Sequence, residues 1–171
     1  MPKLIRNGRV EDDAWVVVRA AASLEALPTG APVIVPLPLW LANQDALQGR
    51  AGVGVWLAPA DDPGVVAHAA SQLPVIAVDF PSFGDGRGYS TARLLRERHG
   101  YRGELRAIGD IQRDQLAYLA QVGFDAFELA HGRDETAALT SLRDFTDGYQ
   151  VTNQRTPWFR RRAAPASGAA A

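Results

Sequence analysis

Cysteine is absent from the 171 residues. That excludes disulfides, a thiolate nucleophile, a zinc–cysteine site and a cysteine-held iron–sulfur cluster within this chain. Any redox role therefore needs a bound organic cofactor or a partner that carries the metal. Excess charge is also lacking: the formal net charge is −1, which argues against a general nucleic-acid or membrane-surface binder. The longest apolar run, Val33 to Ala42, has ten residues and contains Pro36 and Pro38, too short and too interrupted to span a membrane. The opening MPKLIRNGRVEDD has no apolar core of a signal peptide, so a cytoplasmic protein is expected. No Ser-His-Asp or Cys-His pattern is readable.

What is present is the composition of an ordinary globular domain, 47% hydrophobic and 22% charged. The length suits one domain with a real core. We expect a single α/β domain over residues 1–149, made of an N-terminal β-hairpin (1–19) and consecutive βα units (33–149). Asn7-Gly8 supplies the hairpin turn and Trp15 to Val18 is β-prone. Val33–Val35, Gly52–Leu57, Val75–Asp79, Leu105–Ile108 and Ala126–Leu129 read as strands, with helical patterns between them. Asp62, Ser90 and Asp110 stand where helix caps belong, and Gly100 and Gly123 where helices stop. Strand and helix alternating through short links imply a mainly parallel sheet, as a barrel-like arc or an open doubly wound sheet. Five such strands cannot close an eight-stranded barrel, so an arc needs the hairpin or a second subunit to cover its edges. Residues 150–171 lose the apolar period and read as a disordered tail, in which Trp158, Phe159 and Arg160 to Arg162 could meet an acidic partner.

The segment most shaped like a site is FPSFGDGRGYS, Phe80 to Ser90. Three glycines alternate with Asp85, Arg87 and Tyr89, so the backbone can approach a ligand closely, and a helix N-terminus follows, which favours an anion. Asp85, Gly86, Arg87, Gly88, Tyr89, Ser90 and Arg93 are the candidate binding residues. The forked guanidinium of Arg87 suits a carboxylate, phosphate or sulfur oxyanion; the alternative is a salt bridge to Asp85 or Asp110 that fixes the loop. From Arg87 to Arg113, seven arginines face only Glu97, Glu104 and Asp110, which reads as an anion-attracting face or as a solvated helix surface. The turn lacks the Lys-Ser/Thr ending of a P-loop and the G-x-G-x-x-G spacing of a dinucleotide site. At the carboxyl ends of the strands, where ligands bind in such sheets, stand Asp79, Asp110, Glu128 and His131. Their carboxylates could gather around a divalent cation, but no metal is assigned, and helix capping is the simpler role for Asp110.

The run DFPSFGDGRGYSTARLLRERHGYRGELRAIGDIQRDQL, Asp79 to Leu116, resembles the bacterial domain-of-unknown-function family 934. The likeness extends through VIVPLPLWLAN and VGFDAFEL to cover about Val33 to Tyr149, and members typically carry Thr where Gly84 stands. The resemblance implies an oxidoreductase involved in sulfite reduction and cysteine biosynthesis, encoded beside the sulfite reductase haemoprotein in sulfate-assimilating bacteria. It transfers no catalytic residue and no cofactor. The expectation is an accessory protein that binds the haemoprotein or a small anionic ligand through Asp85 to Arg93. A small barrel-like enzyme acting on a phosphorylated or carboxylated metabolite, and a non-catalytic scaffold, are the alternatives. A homo-oligomer is compatible with each.

Overall fold

The computed structural model describes residues 3–20, 23–48, 50–129 and 135–142. Strand β1 (Lys3–Arg6) turns at Asn7-Gly8 into β2 (Arg9–Asp12). Asn7 at φ 49° and Gly8 at φ 72° are both left-handed, the pair of conformations that matches strand twist in a two-residue hairpin. The hairpin ends there. Residues Trp15 to Val18 do not extend it: β3 (Val16–Val17) pairs in parallel with β4 (Val33–Pro36).

Helices α1 (Leu37–Ala42) and α2 (Gln44–Gln48) lead to β5 (Val53–Leu57). A 3-10 helix, Pro63–Ala69, opens on Asp62, whose carboxylate accepts from Gly64 N at 2.8 Å, and leads to β6 (Val75–Phe80). Helix α3 (Arg87–Arg93) widens into a π turn over Leu94–Arg98. Gly100, at φ 64°, stops it, and buried Tyr101 folds back to donate its hydroxyl to Leu73 O and Glu104 O. Then follow β7 (Glu104–Gly109), a 3-10 turn at Arg113–Gln115, α4 (Leu116–Val122), β8 (Ala126–Phe127) and α5 (Glu135–Ser141).

Two caps differ from expectation. Helix α3 begins three residues before Ser90, because Asp85 already supplies an acceptor for Arg87 N at 3.2 Å. The helix after β7 is capped by Gln112, reciprocally bonded with Gln115, and not by Asp110. In both places an acceptor closer to the first free amide wins.

All eight strands form one sheet, in the order β2-β1-β8-β7-β6-β5-β4-β3. Strands β3 to β8 run parallel, and β1 pairs antiparallel with β8. Only Asp13, Ala14 and Trp15 separate β2 at one edge from β3 at the other. Four Cα steps reach at most about 14 Å, whereas the edges of a flat eight-stranded sheet lie roughly 34 Å apart. The sheet must therefore curl, and it forms a half-barrel with the Asp13–Trp15 strap across its opening. The hairpin and β3 supply the strands that the five central ones lack.

Alternation along each strand then divides the core. Val33, Val35, Val55, Ile76, Val78, Leu105 and Phe127 pack outward with Trp40, Leu95, Leu116 and Leu119 of the helices. Ile34, Val75, Ala77 and Ile108 face the other way, joined by Trp15, Val17 and Trp56. With the helices outside, this second set lines the inside of the curl. Both faces of the central strands are thus buried, which is why their sequences read as continuous apolar runs.

Candidate functional site

Inside the curl, apolar side chains give way to charge. Arg106, in the middle of β7, is 0% exposed; it donates to Asp13 of the strap at 2.6 and 3.3 Å and to Glu104 at 2.8 Å. Glu104 also meets Arg6 Nε at 3.4 Å, in a geometry that leaves this N–H without a hydrogen bond. Two paired carboxylates are what make a fully buried guanidinium tolerable. Pairing β6 with β7 places Asp79 beside Ile108. Glu128 lies one residue beyond β8 and bonds its amide to Ala107 O, so it flanks Ile108 on the other side.

Arg19 reaches this rim from the far edge of the sheet. Its guanidinium lies 5.7 Å over the Trp56 ring, and Nη1 donates to Asp79 Oδ1 at 2.5 Å. Trp56 Nε1 donates to Val18 O at 3.0 Å, which fixes the backbone just before Arg19. Burial pushes the Glu128 carboxyl above the usual range; Arg19 and Arg106 oppose that shift, while Asp13 and Asp79 add to it.

The strand-end carboxylates expected from sequence therefore share one rim but turn to different partners. Asp79 holds Arg19, Asp110 accepts from Phe83 N at 3.1 Å, and Glu128 stands at the curl. His131 lies outside the described residues. Among the described residues no three acidic or histidine side chains converge as metal ligands, so Asp79, Asp110 and Glu128 are not a cation cage. Gly109 explains part of the spacing: it is left-handed at φ 100°, and a Cβ there would meet Phe80 O and Asp79 Oδ1.

The Gly-rich turn sits on the outer side of the same rim. Arg87 is 61% exposed and meets Asp85 through Nε at 3.0 Å and Nη2 at 2.7 Å. This bond holds the Asp85 carboxyl below its usual range. Of the two arrangements open to Arg87, the salt bridge to Asp85 is the one observed. The turn's amides are largely taken as well: Phe83 N by Asp110, Asp85 N by Ser82 O and Arg87 N by Asp85. Gly86 precedes the helix, and Gly88 is buried against the Phe80 ring, which any Cβ there would strike. Tyr89 packs edge-on against Phe80 and beside Tyr118, its hydroxyl accepting from Gln115. Ser90 is exposed within the helix, and Arg93 pairs with Glu97.

The basic face is smaller than composition suggests. Arg106 is buried, and Arg96 turns inward to Gly123 O, Tyr101 O, Gly103 O and Asp125. Three carbonyls at two chain turns, together with the Asp125 carboxylate, outcompete solvent for its N–H groups. Sequence reasoning missed Arg19, Asp13 and Trp56 as neighbours of this rim. An arginine inside an apolar strand, ELRAIG, was the one available signal for the charges within.

The architecture is that of a mainly parallel α/β half-barrel with polar groups gathered at the carboxyl ends of its strands. Residues 54–159 match the family model described as "Bacterial protein of unknown function (DUF934)", and the chain belongs to that family. No match was found among curated proteins. Asp79, Arg106 and Glu128 fall within the matched span, while Asp13 and Arg19 precede it. No helix among the described residues is long and apolar enough to cross a membrane.

Proposed function

We propose that this protein is an accessory protein of assimilatory sulfite reduction that acts by docking, through the Asp85 to Arg93 turn, on an acidic face of the sulfite reductase haemoprotein or on a small anionic ligand. The reading is supported most by what the turn offers to solvent. Arg87 and Arg93 are about 60% exposed and flank Tyr89 in sequence; half-exposed Tyr118 packs on the Tyr89 ring, and Phe83 of the same turn is half-exposed as well. Beneath them, Tyr89, Gln115 and Phe80 form a packed base. Exposed ion pairs within one chain contribute little, so Asp85 and Glu97 can yield these arginines to a stronger partner. Arginine with aromatic side chains is the composition of protein-binding surfaces.

The test is binding of the purified haemoprotein to the full chain and to Arg87→Ala/Arg93→Ala, with growth of the corresponding strain on sulfate and on cysteine. Association that weakens with salt and with the double substitution, and failed growth on sulfate alone, are expected. Unchanged binding and normal growth on sulfate would remove the case for the turn. A second reading, a small barrel-like enzyme acting on a phosphorylated or carboxylated metabolite, is favoured by the Arg19, Asp79 and Glu128 side chains at the strand ends. Turnover lost in Glu128→Gln would support it.

A further inference from the structure

The mouth of the curl, on the inner side of the rim, carries an inference independent of the docking turn. Arg19 has five N–H donors, and among the described residues its guanidinium bonds only to Asp79, through Nη1. Its side chain is 44% exposed, with one face on Trp56. An edge of the fork is therefore open above a rigid indole. Across Ile108 stands Glu128, whose backbone lies two strand spacings from that of Asp79, about 10 Å. The Glu128 carboxyl accepts no hydrogen bond from any described residue. Arg19, Arg106, Asp13 and Asp79 all act on it, the arginines opposing and the acids adding to the upward push of burial. Arg106 is already matched by Asp13 and Glu104, and Arg19 by Asp79. Among the described residues Glu128 has no ion pair of its own, and its neutral form carries an O–H that can donate.

We propose that this mouth binds a small oxyanion, one side of which meets the open edge of the Arg19 guanidinium while the other meets the carboxyl group of Glu128. A planar carboxylate and a tetrahedral phosphate share the required chemistry, oxygens spaced for a forked donor. Asp79 keeps its bond to Nη1 and orients the fork. Protonated Glu128 donates to the anion, whereas ionised Glu128 repels it, so affinity falls as pH rises.

The experiment is a calorimetric titration of the full chain with sodium formate and, separately, with inorganic phosphate. The formate series runs upward from about pH 5, above the ordinary glutamate value, to about pH 7.5, and formate stays ionised throughout. Saturable binding of at least one anion is expected. Formate alone identifies a carboxylate site, phosphate alone a phosphate site, and both a general oxyanion site. Arg19→Gln should weaken binding at least about tenfold. Glu128→Gln should retain binding but lose its pH dependence, and Arg9→Ala, at an exposed arginine of β2 beside the hairpin turn, should match wild type. No saturable binding of either anion, full affinity in Arg19→Gln, or loss in Arg9→Ala would overturn the proposal. Should Arg19→Gln fail to fold, an unaltered pH dependence in Glu128→Gln would overturn it equally.

Discussion

Replacing Arg106 by Met strands two acids inside the curl. Arg106 and Asp13 are 0% and 3% exposed, and Glu104 touches the same guanidinium. Methionine fills most of the volume but offers no donor. Asp13 then loses its only side-chain partners among the described residues, while Glu104 keeps Arg6 at 3.4 Å. Breaking a buried pair from one side costs about 3–5 kcal/mol. For a chain of this size each kcal/mol moves Tm by about 2–4 °C, so a fall of roughly 6–20 °C is expected. Urea denaturation supplies the free energy directly. A companion identifies the cause: Asp13→Leu/Arg106→Met should be more stable than Arg106→Met alone, because the stranded Asp13 carboxylate is gone. If Arg106→Met unfolds within about 1 kcal/mol of wild type, the strap is not held by this pair and the reasoning fails.

Gly88→Ala should cost about 1–3 kcal/mol by overpacking, since the new Cβ would lie 2.5 Å from Phe80 Cζ; Gly84→Thr, where nothing stands within 4 Å, should fall within about 0.5 kcal/mol of wild type in the same denaturation assay. Glu128→Gln should raise thermal stability near neutral pH and have no effect in acid. Its folded pKa is raised, so the folded protein holds the proton more tightly than the unfolded chain, and stability declines as pH climbs from the unfolded value through the folded one. Melting curves across that range check this, and an equal effect at both ends would contradict it.

Local signals survived folding wherever one stretch of backbone decided the outcome. Asn7-Gly8 makes its turn, Gly100 and Gly123 end their helices in the left-handed region, and Asp62 caps with its own carboxylate. The caps at Ser90 and Asp110 did not follow because Asp85 and Gln112 were equally suitable and nearer. For Val16–Val17, β-propensity was correct but the partner strand was not: pairing is a choice between edges, and propensity carries no address.

The sequence by itself determined that a mainly parallel α/β sheet would form, since apolar runs buried on both faces and separated by short helical links leave few other arrangements. It also marked the Gly-rich turn and the acids at the strand ends. Only the tertiary structure decided that the sheet curls, because that follows from the three-residue strap joining its opposite edges. The same closure brought Asp13 to Arg106, 93 positions away, and Arg19 to Asp79, 60 positions away. Contacts between residues so far apart depend on curvature and register across many strands, and no local pattern of side chains encodes either.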